Sequence, residues 1–187
     1  MRRCLAGFLL LFFLAGCASR GHLESYMREG VDPTFVKKVA VLKFENHTRE
    51  KEVAERMRDI VTMEALALGL FDVVDRTVVD EVLAEEGVEG GMGLDRDTVR
   101  RLGKRLGVQA LLVGSVNAYE TEREGSYSYP VVSLSLRLLD VASGEIIWKA
   151  GGTETGYSLV GRLFGFKPRN AIEVSFDLAA KLLKTFR

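Results

Sequence analysis

Val132-Ser-Leu-Ser-Leu-Arg-Leu138 is the stretch that decides the fold. Val132, Leu134, Leu136 and Leu138 alternate with Ser133, Ser135 and Arg137, the period of a strand with one buried and one wet face. Asp140-Val-Ala-Ser-Gly144 follows as a turn, with Gly144 at the position that needs a positive φ. Glu145-Ile-Ile-Trp-Lys149 is the return strand. Upstream, Val108-Gln-Ala-Leu-Leu-Val-Gly-Ser-Val116 is an apolar run, extending towards Tyr119, that reads as a buried strand. Between it and the hairpin, Glu120 to Ser128 is charged and contains Gly and Ser, and reads as a loop.

Further outward, strands alternate with helices. Lys37 to Phe44 reads as a buried strand and Glu45-Asn-His-Thr48 as a polar turn. A helix from Glu50 to Leu68 places Val53, Met57, Ile60, Val61 and Leu68 on one face, with Glu52, Arg56, Arg58 and Asp59 elsewhere. Gly69 stops it, and Phe71 to Asp75 is a short strand. Two helices follow, Arg76 to Glu86 and one capped by Asp95 or Asp97 that runs to Leu106; the glycine-rich 87–93 separates them. After the hairpin, Gly161 to Pro168 reads as an apolar loop and Arg169 to Phe186 as a closing helix. The order β-α-β-α-α-β-β-β-α predicts an α/β fold, a two-layer sandwich with a mixed sheet, over residues 36–187.

The N-terminus carries a different signal. Met1-Arg-Arg3 is cationic, and Cys4 to Gly16 has no charge. That run is within the roughly 7–15 residues of a secretory h-region and short of the ~20 needed to cross a bilayer. Leu14-Ala-Gly-Cys17 resembles the bacterial lipobox at every position. The resemblance implies a signal peptide over 1–16, cleavage before Cys17, and diacylglycerol and acyl chains (palmitate among them) on that cysteine. Only a thiol offers the sulfur nucleophile for the thioether. Ala18 and Ser19 follow where an Asp would favour inner-membrane retention, so the resemblance implies the outer membrane with the domain facing the periplasm. Residues 18–35, with two glycines and a proline, read as a flexible tether reaching up to ~60 Å.

Composition narrows the function. Lys plus Arg equals Asp plus Glu at 26 each, and losing Arg2 and Arg3 leaves the mature chain slightly acidic, so nucleic acid is not an expected partner. Cys4 and Cys17 are the two cysteines, so the mature domain has neither a disulfide nor a free thiol for catalysis. His22 lies in the expected tether, and a Ser-His-Asp or metal site would have to be built around His47. No second histidine at ligand spacing accompanies it, so capping and turn closure by Asn46-His-Thr48 is the favoured reading. The Gly87–Gly93 run lacks the Gly-Lys-Ser/Thr of a phosphate loop and reads as a hinge, and Arg100, Arg101, Lys104 and Arg105 read as a solvated basic face.

Several strings together resemble the domain shared by CsgG-like and LpoB-like lipoproteins and the N-terminal domain of TolB. They are Val39-Ala-Val-Leu-Lys-Phe-Glu-Asn46, Phe71-Asp-Val-Val-Asp-Arg76, Leu106 to Ser115, and Leu139-Asp-Val-Ala-Ser-Gly-Glu-Ile-Ile-Trp148. The resemblance implies a non-catalytic accessory or regulatory lipoprotein that needs no cofactor and binds envelope proteins in assembly or export. It leaves a homo-oligomer open. CsgG-type pores need long lipid-facing hairpins. The one candidate segment, 117–131, carries Glu120, Glu122, Arg123 and Glu124, which disfavour a lipid-facing strand. An oligomeric export-channel component and a small-ligand or hydrolase site around His47 are the alternatives. Leu163, Phe164 and Phe166, in Leu159-Val-Gly-Arg-Leu-Phe-Gly-Phe166, are the expected partner contacts, because aromatic anchors dominate interfaces.

Overall fold

The computed structural model describes residues 21–91 and 93–186. The expected signal segment 1–16 and Cys17 lie outside the described residues. The elements are β1 (His22–Met27), a 3-10 turn (Pro33–Phe35), β2 (Lys38–Val41), β3 (Glu45–Asn46), α1 (Val53–Ala67), β4 (Asp72–Val73), α2 (Arg76–Glu85) and α3 (Arg96–Leu106). They continue with β5 (Ala110–Glu124), β6 (Tyr127–Asp140), β7 (Ile146–Thr155), α4 (Leu159–Phe164) and α5 (Ala171–Lys184). The strands form one seven-stranded sheet ordered β1-β7-β6-β5-β2-β4, with β3 pairing β5. β2 is parallel to β4 and β5, whereas β5, β6, β7 and β1 are antiparallel, so the sheet is mixed.

The alternation in β6 works as expected. Val132, Leu134, Leu136 and Leu138 are buried, in one core with Met57, Ile60 and Val61 of α1 and Leu178, Leu182 and Leu183 of α5. Burying each such side chain contributes roughly 1.5–3 kcal/mol. Trp148 of β7 sits in the same core and donates from Nε1 to Thr185 Oγ1 at 3.0 Å. On the opposite face Ala40, Leu42, Leu111 and Val113 meet Val79 and Leu83 of α2 and Val99 and Leu102 of α3. Asp75 and Asp95 cap α2 and α3 by accepting from Thr77 N and Thr98 N, and Asn170 forms a capping box with Glu173 on α5. Gly144 has φ +73° in the β6–β7 turn, and a Cβ there would meet Arg96 Cα at 2.9 Å.

Four segments differ from the sequence reading. Glu45–Asn46, expected in a polar turn, pairs with β5 as β3. Residues 22–27, expected within a flexible tether, form edge strand β1, in register with β7 from His22↔Thr153 to Met27↔Trp148. The ~60 Å reach is therefore cut to the few residues between Cys17 and Gly21. Residues 120–128, expected as a loop, are the ends of β5 and β6, which pair through Glu124↔Tyr127 around Gly125 at φ +63°. Residues 120–124 are all exposed, which explains why their charges do not prevent pairing. Within the expected 161–168 loop, residues up to Phe164 belong to helix α4.

Candidate functional site

The sequence-named contact residues form an apolar crest at one end of the sheet. Ser158 Oγ accepts from Gly161 N at 3.1 Å and starts α4, and Gly165 at φ +73° ends it one turn and a half later. So short a helix cannot bury a face. Leu163, Phe164 and Phe166 are 77%, 72% and 62% exposed, with Leu159 and Val160 exposed beside them. The Phe164 and Phe166 rings lie 6.4 Å apart.

The crest rests on the β5–β6 arm. Arg162 pairs with Glu124 at the arm's tip and donates to Tyr157 Oη at 3.2 Å. Tyr127, Tyr129 and Tyr157 pack as a ring cluster with centroids 5.0–6.2 Å apart, within the range of favourable aromatic pairs. Tyr129 donates to Glu122 Oε2 at 3.0 Å, and that bond, reinforced by desolvation, holds its phenol above the ordinary value. A Cβ at Gly161 would meet Tyr127 Oη at 2.8 Å, so glycine lets α4 lie directly on the arm. Behind the crest, Arg169 reaches Glu154 Oε1 at 3.0 Å and Asp177 Oδ2 at 2.8 Å, and Lys181 reaches the same two carboxylates. Burial works to raise the Asp177 pKa, but the hydrogen bonds from Lys181 and Arg169 outweigh it and leave it lowered. This network ties the crest's C-terminal flank to β7 and α5.

His47 is in a different place. It lies in the turn after β3, half exposed, with Nε2 3.4 Å from Glu45 Oε2. Asn46 donates to Glu50 O at 2.7 Å and accepts from Thr48 N at 2.9 Å, so the motif closes the turn before α1. The other histidine, His22, is on β1 beside Glu24. Among the described residues no group of three or more His, Cys, Asp and Glu could hold a metal.

The basic cluster is largely structural. Arg101 and Arg105 of α3 grip Glu86, Arg105 also pairs with Glu85, and Arg100 donates to Ala142 O and Ser143 O in the β6–β7 turn. The bonds from Arg105 and Arg101 hold the Glu86 carboxyl below its ordinary pKa. In the glycine-rich segment Gly91 packs against Val113 of β5, and Arg137 of β6 donates to Gly91 O at 2.6 Å.

The sequence reading missed Arg58. Placed on the polar face of α1 by periodicity, it is 1% exposed. Nε and Nη2 donate to Val41 O at 3.1 and 2.8 Å, and Nη1 binds both oxygens of Asp80 on α2. It thus crosses from α1 over the end of β2 to α2. The only sequence signal was its place between Met57 and Asp59, which a buried arginine shares with an exposed one.

The family model of the peptidoglycan-synthase activator LpoB matches residues 17–153. No curated protein matches the sequence. Among solved structures, the chain is similar to the PelC dodecamer protein of Paraburkholderia phytofirmans, at 21% identity and TM-score 0.59, covering 89% of this chain and 97% of that one. It is also similar to lipoprotein GNA1162 of Neisseria meningitidis, at 22% identity and TM-score 0.54, covering 69% and 93%. The protein CT253 of Chlamydia trachomatis aligns at 10% identity and TM-score 0.52, covering 81% and 93%. These likenesses concern the fold, whereas the family match spans most of the sequence: this chain belongs to the LpoB family of peptidoglycan-synthase activators.

Proposed function

We propose that this protein is an envelope lipoprotein, anchored through Cys17 to the outer membrane, that works by binding and regulating a periplasmic peptidoglycan synthase. The observation that carries this reading is the family match over residues 17–153. The family is one of activators, which act on another protein's catalysis, and the turn at His47, with Glu45 beside it, assembles no catalytic group that would favour an enzyme instead. Cys17 supplies the location: a thiol at the end of a lipobox-like string, where the family match begins. No cofactor enters the account.

In-cell crosslinking of the full-length protein followed by mass spectrometry tests it. Peptidoglycan synthases should be enriched over the same protein without crosslinker. Recovery of unrelated cytoplasmic proteins alone would count against the proposal. Cys17→Ser should leave the unprocessed precursor, detected by its mass.

A second reading is self-assembly, as in an export component. The PelC relative of the same fold is a dodecamer, and edge strand β1 leaves one side of this sheet unpaired. A ring-sized species in light scattering would favour it, and a monomer would dismiss it.

A further inference from the structure

Strand pairing fixes where the chain enters the fold. β1 runs antiparallel to β7, and its first residue, His22, pairs with Thr153, two residues before β7 ends. A Cβ at Gly21 would meet Thr153 O at 2.5 Å and Glu154 Oε2 at 2.8 Å, so Gly21 lies against the last residues of β7. Three residues after Thr155, Ser158 begins the crest, and Arg162 of the crest pairs with Glu124 at the arm's tip. The chain's entry point, the arm's tip and the crest therefore share one end of the molecule.

Three residues separate Cys17 from Gly21, and the four steps along the chain span at most about 14 Å. A lipid on Cys17 would hold Gly21 within about 14 Å of the acylated residue at the bilayer surface.

We propose that Leu163, Phe164 and Phe166 insert into the lipid surface that holds the anchor, so that the domain is docked on the membrane. The proposal rests on the reading that Cys17 is acylated. The several acyl chains expected on Cys17 hold the protein firmly but do not set the domain's orientation, which a second, protein contact with the membrane would fix. The crest has the form of such a contact. Two phenylalanines and a leucine project outward, flanked in sequence by Arg162, which is held by Glu124 and Tyr157, and by Lys167. Glu122, Arg123 and Glu124 on the neighbouring arm are of mixed sign, so the contact is apolar and not an attraction to anionic lipid. Leu23 on β1 and Ile172 at the start of α5 are exposed near the crest's end as well, and a separate exposed group is at the far end. Met63 and Leu66 lie on the last turns of α1, which leads into β4 beside the start of β2, and Phe35 precedes that same strand start. With the crest in lipid, that far end faces the periplasm and its proteins.

The test uses the full-length, processed protein reconstituted in phosphatidylethanolamine–phosphatidylglycerol vesicles whose acyl chains are brominated or not. Phe164→Trp and Met63→Trp are compared, each at a site exposed enough to accept the ring; Trp148 is buried and contributes the same background to both. Brominated lipid should quench most of the added emission in Phe164→Trp and little in Met63→Trp, at low and high salt alike. Vesicle flotation reads the anchor separately. A protein that floats but shows equal quenching at the two sites overturns the docking proposal and leaves the anchor standing. One that does not float overturns both. Equal quenching with an oligomer that Phe164→Glu dissociates gives the crest to a second copy of the chain, and likewise overturns the proposal.

Discussion

Replacing Arg58 by alanine should destabilise the protein by about 3 kcal/mol, a size set by what its guanidinium touches. Two donors leave Val41 O, and a buried carbonyl stripped of its partner costs about 1–3 kcal/mol. The ion pair with Asp80 is lost as well. Breaking a fully buried pair costs ~3–5 kcal/mol, but Asp80 is 28% exposed and keeps Arg76 at 3.6 Å, so about 1–2 kcal/mol is appropriate. At about 2–4 °C per kcal/mol for a chain of this size, Tm should fall by roughly 6–12 °C. Urea unfolding followed by far-ultraviolet circular dichroism measures it. Arg58→Lys should fall between, because one ammonium cannot serve both the carbonyl and the carboxylate in the arginine's fork geometry. Arg58→Met with Asp80→Leu should recover part of the loss, since an apolar replacement leaves no unpaired charge. An Arg58→Ala protein within about 0.5 kcal/mol of wild type, the size of an ordinary surface change, would refute the reasoning.

Other outcomes follow from the same geometry. Phe164→Ala with Phe166→Ala should change stability by less than about 1 kcal/mol in urea unfolding, because both rings are exposed, and should leave vesicle flotation, which reads the anchor, unchanged. A Cβ at Gly114 would meet the Phe44 ring at 2.6 Å, so Gly114→Ala should cost about 1–3 kcal/mol in chemical denaturation as that ring is displaced. Asp75, Glu86 and Asp95 have carboxyls held below their ordinary values of 3.8, 4.5 and 3.8, chiefly by the Thr77 backbone, Arg105 and the Thr98 backbone. Depressed folded-state values mean that their stabilisation is complete above the ordinary values and is lost as pH falls through the folded ones. Denaturation midpoints should therefore drop on acidification below about pH 4.5, and less steeply in Glu86→Gln.

Much of the fold was legible because its core strands and helices carry strong periods. Val132 to Leu138 alternates without a break, and the β6–β7 turn ends on a glycine at positive φ. The segments that were not legible are those in which burial does not impose a pattern. β1 is an edge strand with five of its six residues exposed, and its inward side is only Leu23, Ser25 and Met27. The arm's outer residues, 120–124, are exposed on β5, so Glu and Arg are tolerated there and resemble a loop. Arg58 was misplaced because helical period separates charge from core, while this charge is satisfied inside by a strand-end carbonyl. For the crest, Leu163, Phe164 and Phe166 were legible as residues out of period; their exposure and their place at the chain's entry point came from β1 pairing with β7.

The central claim is that this protein acts through another protein's catalysis. Its most direct test is the rate of glycan-strand polymerisation by the host's own peptidoglycan synthases, purified, with and without the full-length lipoprotein in lipid vesicles. The account predicts direct binding to one synthase and a faster rate in its presence. Unchanged rates with every synthase, and no binding to any, would contradict it.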